Sequence, residues 1–422
     1  MFLKGVTASA VSAEGVAPAA DWSTWERDGR APRSSDGAGL LTDFRDDLQQ
    51  FAALGCNTWR VTIEWARIEP EPGKVDNDAL DIYRDVLAFA REVGLQNWIT
   101  LQSTTLPGWY LDDEGGHRDE DARGRYWLRH VDRVAEAFDE FATGFVPIDD
   151  PIGWAVRSYG LGSRPPGRKD RVVLREAVEG AVHAAHEAIR LLSSGRQQLM
   201  TAWRADPIHA LAEDDGRVSL EATQAARGWE NLFWSWLRLH ANGVLELDGR
   251  APVDVPLFVN AVDHVGIVHD HPIGIGPDGG FAPWPRGARA SGSGLAPEPA
   301  ELAEALHRVS EALPDHSLVV AGHGVNTDDE AWREHLLART LDHVRDAHHD
   351  IGLAGYFHDS GIDGYDWKLG FARPRGLVSR GRARKAAAAT FAAAGRPRTH
   401  NVSMHVHRQY IEDRVDAAAA LQ

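Results

Sequence analysis

Short apolar runs punctuate the chain, and the stretches between them carry apolar residues at helical spacing. Eight runs read as strands: Leu3–Ala8, Thr58–Ile63, Asn97–Leu101, Phe145–Ile148, Leu199–Ala202, His264–Val268, Leu318–Ala321 and Leu353–Phe357. Asp81–Val93 predicts a helix between the second and third, because Leu80, Tyr83, Val86, Leu87 and Phe89 recur every three or four positions. Val173–Leu192 predicts another, with Ala177, Ala181, Ala184, Ala185, Ile189 and Leu192 near one face. Apolar strands alternating with amphipathic helices form parallel βαβ units, and eight of them agree with an α/β fold of the (β/α)8 or TIM barrel type. Residues 272–297, rich in Gly, Pro, Ala and Ser, read as a long surface loop after the sixth strand, with Trp284 able to overhang the barrel mouth. Trp22–Gly39 reads as a second loop. No internal repeat is visible, so residues 1–395 are read as one barrel. Residues 396–422 follow as a tail or a docking segment, which composition does not decide.

Composition narrows the partners more than the fold. The formal charge of −17 argues against nucleic acid and anionic membranes, which call for basic patches. The one cysteine, Cys56, excludes a disulfide within the chain, and its apolar surroundings from Phe51 to Val61 read as core. No charged start with a long apolar stretch precedes Gly5, and no run approaches the ~20 apolar residues of a membrane span. The expectation is a cytoplasmic protein with a small-molecule substrate, and the oligomeric state is left open. Fifteen tryptophans suit a sugar-binding cleft, but core packing accounts for most of them as readily.

Ordered motifs add a resemblance. Phe2-Leu3-Lys4-Gly5-Val6 is followed by Ala13-Glu14-Gly15, then by Trp59-Arg60-Val61-Thr62-Ile63-Glu64-Trp65-Ala66-Arg67-Ile68. Further on come Tyr159-Gly160-Leu161-Gly162, Val262-Asp263-His264-Val265-Gly266-Ile267, Gly355-Tyr356-Phe357 and Asp363-Gly364-Tyr365-Asp366-Trp367 with Gly376-Leu377-Val378. In this order the set resembles glycoside hydrolase family 1, the retaining β-glucosidases, over roughly residues 2–390. The resemblance implies a TIM barrel whose site lies at the C-terminal ends of the strands. It does not by itself imply the activity, because function lives in the site.

The site positions depart from the family pattern. Retaining glycosidases use two carboxyl groups ~5–5.5 Å apart, one as nucleophile and one as acid/base. The stretch resembling the family's nucleophile motif I-T-E-N-G places Gly322 at the Glu, and a hydrogen cannot attack an anomeric carbon. Where the family has T-x-N-E-P, this chain has Pro147-Ile148-Asp149-Asp150-Pro151, so Asp150 stands at the acid/base and Asp149 at the Asn. Two adjacent carboxylates facing one cavity should raise one pKa, which suits a general acid. The alternative is that Asp149 turns away to cap the following helix. The sugar contacts are altered too: Ser12 stands for the Gln after the first strand, Ser103 and Thr104 for His and Trp, Asp359 for the Trp of the eighth strand, and Asp366 for a Glu beside a preserved Trp367.

Arg60 matches the arginine that pairs with the nucleophile and needs a new partner: Asp149, Asp359, Glu64 or an anionic ligand. His269, Asp270 and His271, then His323, then His358 and Asp359 add titratable groups at three neighbouring strand ends. They read as acid/base or binding histidines, as a zinc or iron site, for which the signal is weak because no H-x-H on one strand is followed by the usual acidic series, or as neutral packing. Neighbouring strand residues face opposite sides, so only about half can face a cavity. The expected catalytic set is therefore Asp150, Asp149, His323 and Asp359, with Arg60, Ser12, Ser103, His269, His358, Asp366 and Trp367 binding substrate and no cofactor. That set suits acid/base chemistry without a covalent sugar intermediate, namely elimination, cyclisation, isomerisation or single-displacement hydrolysis. An atypical glycosidase using Asp150 with a substitute carboxylate and a non-catalytic binding protein remain alternatives.

Overall fold

The computed structural model describes residues 1–255 and 258–395; the tail or docking segment expected at 396–422 lies outside the described residues. Nine short strands form one parallel sheet. They are β1 (Leu3–Ala8), β2 (Thr58–Thr62), β3 (Gln96–Gln102), β4 (Ala142–Ile148), β5 (Gln198–Leu199), β6 (Trp203–Arg204), β7 (Val265–Val268), β8 (Leu318–His323) and β9 (Gly355–His358). Their order is β5-β4-β3-β2-β1-β9-β8-β7-β6. β5 and β6 are consecutive in the chain, and bridges from Met200 to His264 and from Ala202 to Asp149 run between them. They are thus two halves of one stave, and the sheet closes as an eight-staved barrel.

Eight helices follow the eight staves: α1 (Leu40–Ala53), α2 (Asn77–Glu92), α3 (Leu128–Phe138), α4 (Arg171–Leu192), α5 (Leu220–Phe233), α6 (Pro299–Ala312), α7 (Glu330–Ile351) and α8 (Ala386–Ala393). The stretches with helical periodicity become α2 and α4. Each begins on an aspartate whose carboxylate accepts backbone N–H groups, Asp76 from Ala79 and Asp170 from Val172 and Val173. α7 starts in the same way on Asp329 and ends on Gly352, whose φ of 69° is the left-handed stop that glycine adopts without strain. The expected Trp22–Gly39 loop contains a helix, Asp21–Arg27, because Trp22 and Trp25 stack on each other and bury against Tyr365.

Side chains alternate between two cores. Leu3, Trp98, Val146, Met200, Val319, Ala321 and Phe357 fill the barrel interior. Their strand neighbours, such as Trp59, Val61, Phe145, Ile267, Val320 and Tyr356, pack outward among the helices. The interior is tight. A Cβ on Gly144 would sit 2.4 Å from the Trp98 ring, so that position has room only for hydrogen. Seven tryptophans are fully buried (Trp22, Trp59, Trp98, Trp127, Trp154, Trp203 and Trp236), and Cys56 also lies in the core. Among the described residues, no helix is long and apolar enough to cross a membrane.

Candidate functional site

A cavity of about 1060 Å³, counted to its open rim, lies at the C-terminal ends of the strands. Eight of the expected site residues line it: Asp149, Asp150, Asp359, Arg60, Ser12, Ser103, Asp366 and Trp367. Gly322, standing where the resemblance puts the nucleophile, is also in the wall. Its conformation is one that other residues adopt, and an added Cβ would meet nothing nearer than the Arg60 guanidinium at 3.4 Å.

The three histidines assigned to the site do not line it, which corrects the expectation for His323, His269 and His358. On β8, plain alternation from Val319 and Ala321 would carry His323 inward. The register against both neighbours slips instead: Ile267 and Val268 on β7 face Val320 and Gly322, and Tyr356 and His358 on β9 face Val320 and His323. This bulge turns Gly322 into the cavity and His323 out of it. On the other two strands, alternation alone decides. Asp270 and Asp359 face in, so His269 and His358 face out.

The excluded histidines form a buried cluster behind the wall. His269 stacks on His323 at 5.8 Å, His323 Nδ1 lies 3.1 Å from the Tyr356 hydroxyl, and that hydroxyl lies 3.3 Å from His358 Nδ1. Burial pushes His323 and His358 down to about 3 and His269 down to about 4. Near neutral pH they are uncharged imidazoles packed against the barrel. Trp284, expected over the mouth, instead stacks on His209 at 3.8 Å.

The carboxylates exchange their expected roles. Asp150, not Asp149, caps the following helix. It sits in the left-handed region at φ 53°, accepts from the Gly153 N–H at 3.0 Å and starts Pro151–Ala155. Aspartate is one of the few side chains that tolerates this conformation. The same carboxylate takes the Arg157 Nη2 at 2.6 Å and the Arg204 Nε at 2.7 Å. Burial would raise its pKa, but these two guanidiniums outweigh burial and hold it below the ordinary carboxylate range. Asp150 therefore stays ionised and is no general acid. Asp149 meets Arg60 at 2.9 Å, which settles the partner that the arginine needed. Its carboxyl is raised, by burial first and then by Asp150 and Asp359, against the pull of Arg60. Asp359 accepts from the Thr7 hydroxyl and from Arg375, each at 2.5 Å, and is held low despite its burial.

A run of arginines, not read from the sequence as site residues, ties the rim together. Arg204 bridges Asp150, Asp206 at 2.6 Å and Asp270 at 3.2 Å, and Arg375 bridges Asp270 at 3.4 Å and Asp359. Acid and base thus alternate from the end of β4 past β6 and β7 to the end of β9. Such pairs hold geometry more than they add stability, since each buried charge needs its partner. Asp366 caps its own turn, accepting from the Lys368 and Leu369 N–H groups, while Asn326 donates to it at 3.2 Å. Trp367 packs edge-on against Trp22 at 4.7 Å. Among the described residues, no group of three or more His, Cys, Asp or Glu is placed to hold a metal ion.

Comparison with known proteins agrees with this barrel. The solved structure of the "beta-glycosidase from Pyrococcus horikoshii" superposes with a TM-score of 0.83 at 23% identity, covering 97% of this chain and 96% of that one. The β-glucosidase of Thermotoga maritima in complex with glucoimidazole gives 0.81 at 18% identity, over 93% and 98%. At these identities the likeness concerns the fold. Beta-glucosidase A of Thermotoga maritima is 26% identical over 201 residues, so the chain matches under half of that relative's length (44%), over 45% of its own. The "Bifunctional beta-D-glucosidase/beta-D-fucosidase" of Bifidobacterium breve is 24% identical over 415 residues, covering 87% of this chain and 89% of that protein. The sequence model of glycosyl hydrolase family 1 matches residues 8–236, more than half of the chain, and the protein belongs to that family.

Proposed function

We propose that this family 1 barrel binds a small polar molecule, sugar-derived or of similar size, and does not run the two-step retaining hydrolysis. The observation that carries the reading is Gly322 in the cavity wall with Arg60 turned to Asp149. No carboxylate stands at Gly322 to form a covalent sugar intermediate, and the arginine that would orient one is engaged elsewhere. If the protein is an enzyme, Asp149 is the group for proton transfer, because among the three cavity aspartates assigned to catalysis it alone is raised towards a protonated form. Chemistry that needs one proton donor or acceptor and no covalent sugar intermediate then fits: elimination, cyclisation, isomerisation or single-displacement hydrolysis. A pair of Asp149 with Asp359 would support the last with inversion.

One observation favours a second reading, a binding protein without catalysis. Asp150, Asp270 and Asp359 are each held by arginines, which suits a fixed binding surface better than proton exchange.

A panel of aryl β- and α-glycosides, assayed on wild type and Asp149→Asn with and without azide, tests both. The expected result is either no turnover or turnover that requires Asp149 and inverts the anomeric centre. A product of retained configuration, formed without azide, would overturn the proposal. Folded protein that turns over nothing in the panel favours the binding reading for glycosides.

A further inference from the structure

We infer that the cavity takes a ligand bearing one anionic group, a phosphate, sulfate or carboxylate, seated against Arg164 and Arg157 on the β4 side of the mouth. This rests on the reading above that the cavity is a small-molecule site. Six arginines and five aspartates line the cavity, although the chain as a whole carries −17. Five of the arginines are ion-paired: Arg60 to Asp149, Arg157 and Arg204 to Asp150, Arg375 to Asp359, and Arg373 to Asp328 outside the cavity.

Arg164 is different. Its Nη1 donates to the Thr104 hydroxyl at 3.1 Å and its guanidinium lies 4.7 Å from the centre of the Trp367 ring. Among the described residues, no carboxylate lies within ion-pair distance of it. Burial and the neighbouring Arg157 push its guanidinium well below the ordinary arginine range, against the pull of Asp150. An arginine in a protein does not give up its proton, so that direction marks a cation short of counter-charge.

Arg157 adds a second unspent donor. Its Nη2 is on Asp150, but its buried Nε has no partner among the described residues. Two guanidinium groups that repel each other and line one cavity, one of them without a carboxylate partner, match an oxyanion placed between them. Ser103 and Thr104 supply hydroxyls on the same wall. A neutral sugar in this position would leave the Arg164 charge uncompensated, so the site should prefer a charged molecule.

Calorimetric titration of the whole protein with glucose, glucose 6-phosphate, glucuronate and inorganic phosphate tests this. The two charged sugars should bind roughly 10- to 100-fold tighter than glucose, the range set by a charged hydrogen-bonding group. Whichever binds more tightly separates a phosphorylated from a carboxylated ligand. Arg164→Gln should remove the preference and Arg164→Lys should keep part of it. In wild type, the preference should weaken between about 50 and 500 mM KCl, a check that needs no variant to fold. Equal binding of glucose and the charged sugars overturns the inference. So does a preference that survives Arg164→Gln or ignores salt, or no binding of any charged probe at about 10 mM, a weak affinity even for a fragment. Glucose binding without an anionic preference leaves the functional reading standing, whereas a retained anomer in the glycoside assay removes that reading whatever the titrations give.

Discussion

At the scale of single residues, Gly322 and Asp149 form one unit through Arg60. The guanidinium donates from Nε to the Ala321 carbonyl at 3.1 Å and from Nη1 to the Thr100 hydroxyl at 3.3 Å, so it is fixed before it reaches Asp149. A carboxylate restored at position 322 would meet the same guanidinium. Gly322→Glu should therefore fold, since the backbone there needs no glycine and the nearest contact is a side-chain tip. It should not restore retaining hydrolysis, because Asp150 remains ionised between two arginines and cannot protonate a leaving group. The new carboxylate should share the fixed Arg60 guanidinium and, as a like charge at close range, push the Asp149 carboxyl further up, by about one pH unit. Titration of labelled aspartate carboxyls by NMR in the two proteins measures that shift. A fall in the Asp149 pKa, or retaining turnover by the single variant, would contradict the account.

The short helix Pro151–Ala155 is the element on which the site depends most, and Asp150 is its cap as well as its anchor to the rim. Asp150→Ala removes the cap and leaves Arg157 without its carboxylate. Breaking a fully buried pair costs about 3–5 kcal/mol. Here Arg157 reaches solvent and Arg204 keeps Asp206 and Asp270, so the loss should be nearer 2–4 kcal/mol in denaturant unfolding. Asp150→Asn, which still accepts from Gly153, should cost less. Equal destabilisation by the two would mean that the ion pairs, not the cap, carry the whole effect. Any loss of function in Asp150→Ala is then structural before it is catalytic.

Elements are also where the sequence was most legible. Apolar runs and helical spacing located the eight staves and the helices α2 and α4, because burying a strand on both faces demands such runs. The motif order located the cavity and eight of its residues. It could not show the slip in β8, since a bulge adds one residue without changing composition, and that residue decides whether Gly322 or His323 faces inward. Nor could it assign the caps, because Asp149 and Asp150 are equally good cap residues and only the backbone selects one. The rim arginines sit at strand ends and beside Tyr159-Gly160-Leu161-Gly162, but in an arginine-rich chain a guanidinium carries no signal until its partner is known.

For the whole molecule, the buried histidines set the response to acid. His117, His130, His240, His271, His323 and His358 are pushed down to about 3, and His269 to about 4, each mainly by burial. Each binds its proton more weakly in the folded than in the unfolded chain, where the ordinary value is 6.5. Between about pH 6.5 and the folded values, the unfolded chain holds more protons, so acid favours unfolding there. Each imidazole contributes up to about 1.4 kcal/mol per pH unit in that window. Buried carboxyls act in the opposite sense. Glu14 is raised to about 7, Asp47 and Asp206 to about 6, and Asp21 well above its ordinary range, all chiefly by burial. Their protons bind more tightly in the folded protein, so they favour folding as the pH falls towards the ordinary carboxylate values. His183, His186 and His316 are lowered as well, and Glu64, Asp112, Asp149 and Asp363 are raised as well. Among the described residues, ten imidazoles thus stand against eight such carboxyls, which gives a net loss of stability from about pH 6.5 to about pH 4.5, read as a falling urea midpoint with net proton uptake on unfolding. Replacing Glu14 by Gln removes one opposing group, and the fall across the same interval should steepen. A urea midpoint that holds level or rises as the buffer is acidified would mean that these imidazoles are protonated inside the fold. The neutral packing behind the cavity wall, which keeps His323 and His269 out of the chemistry, would then have to be abandoned.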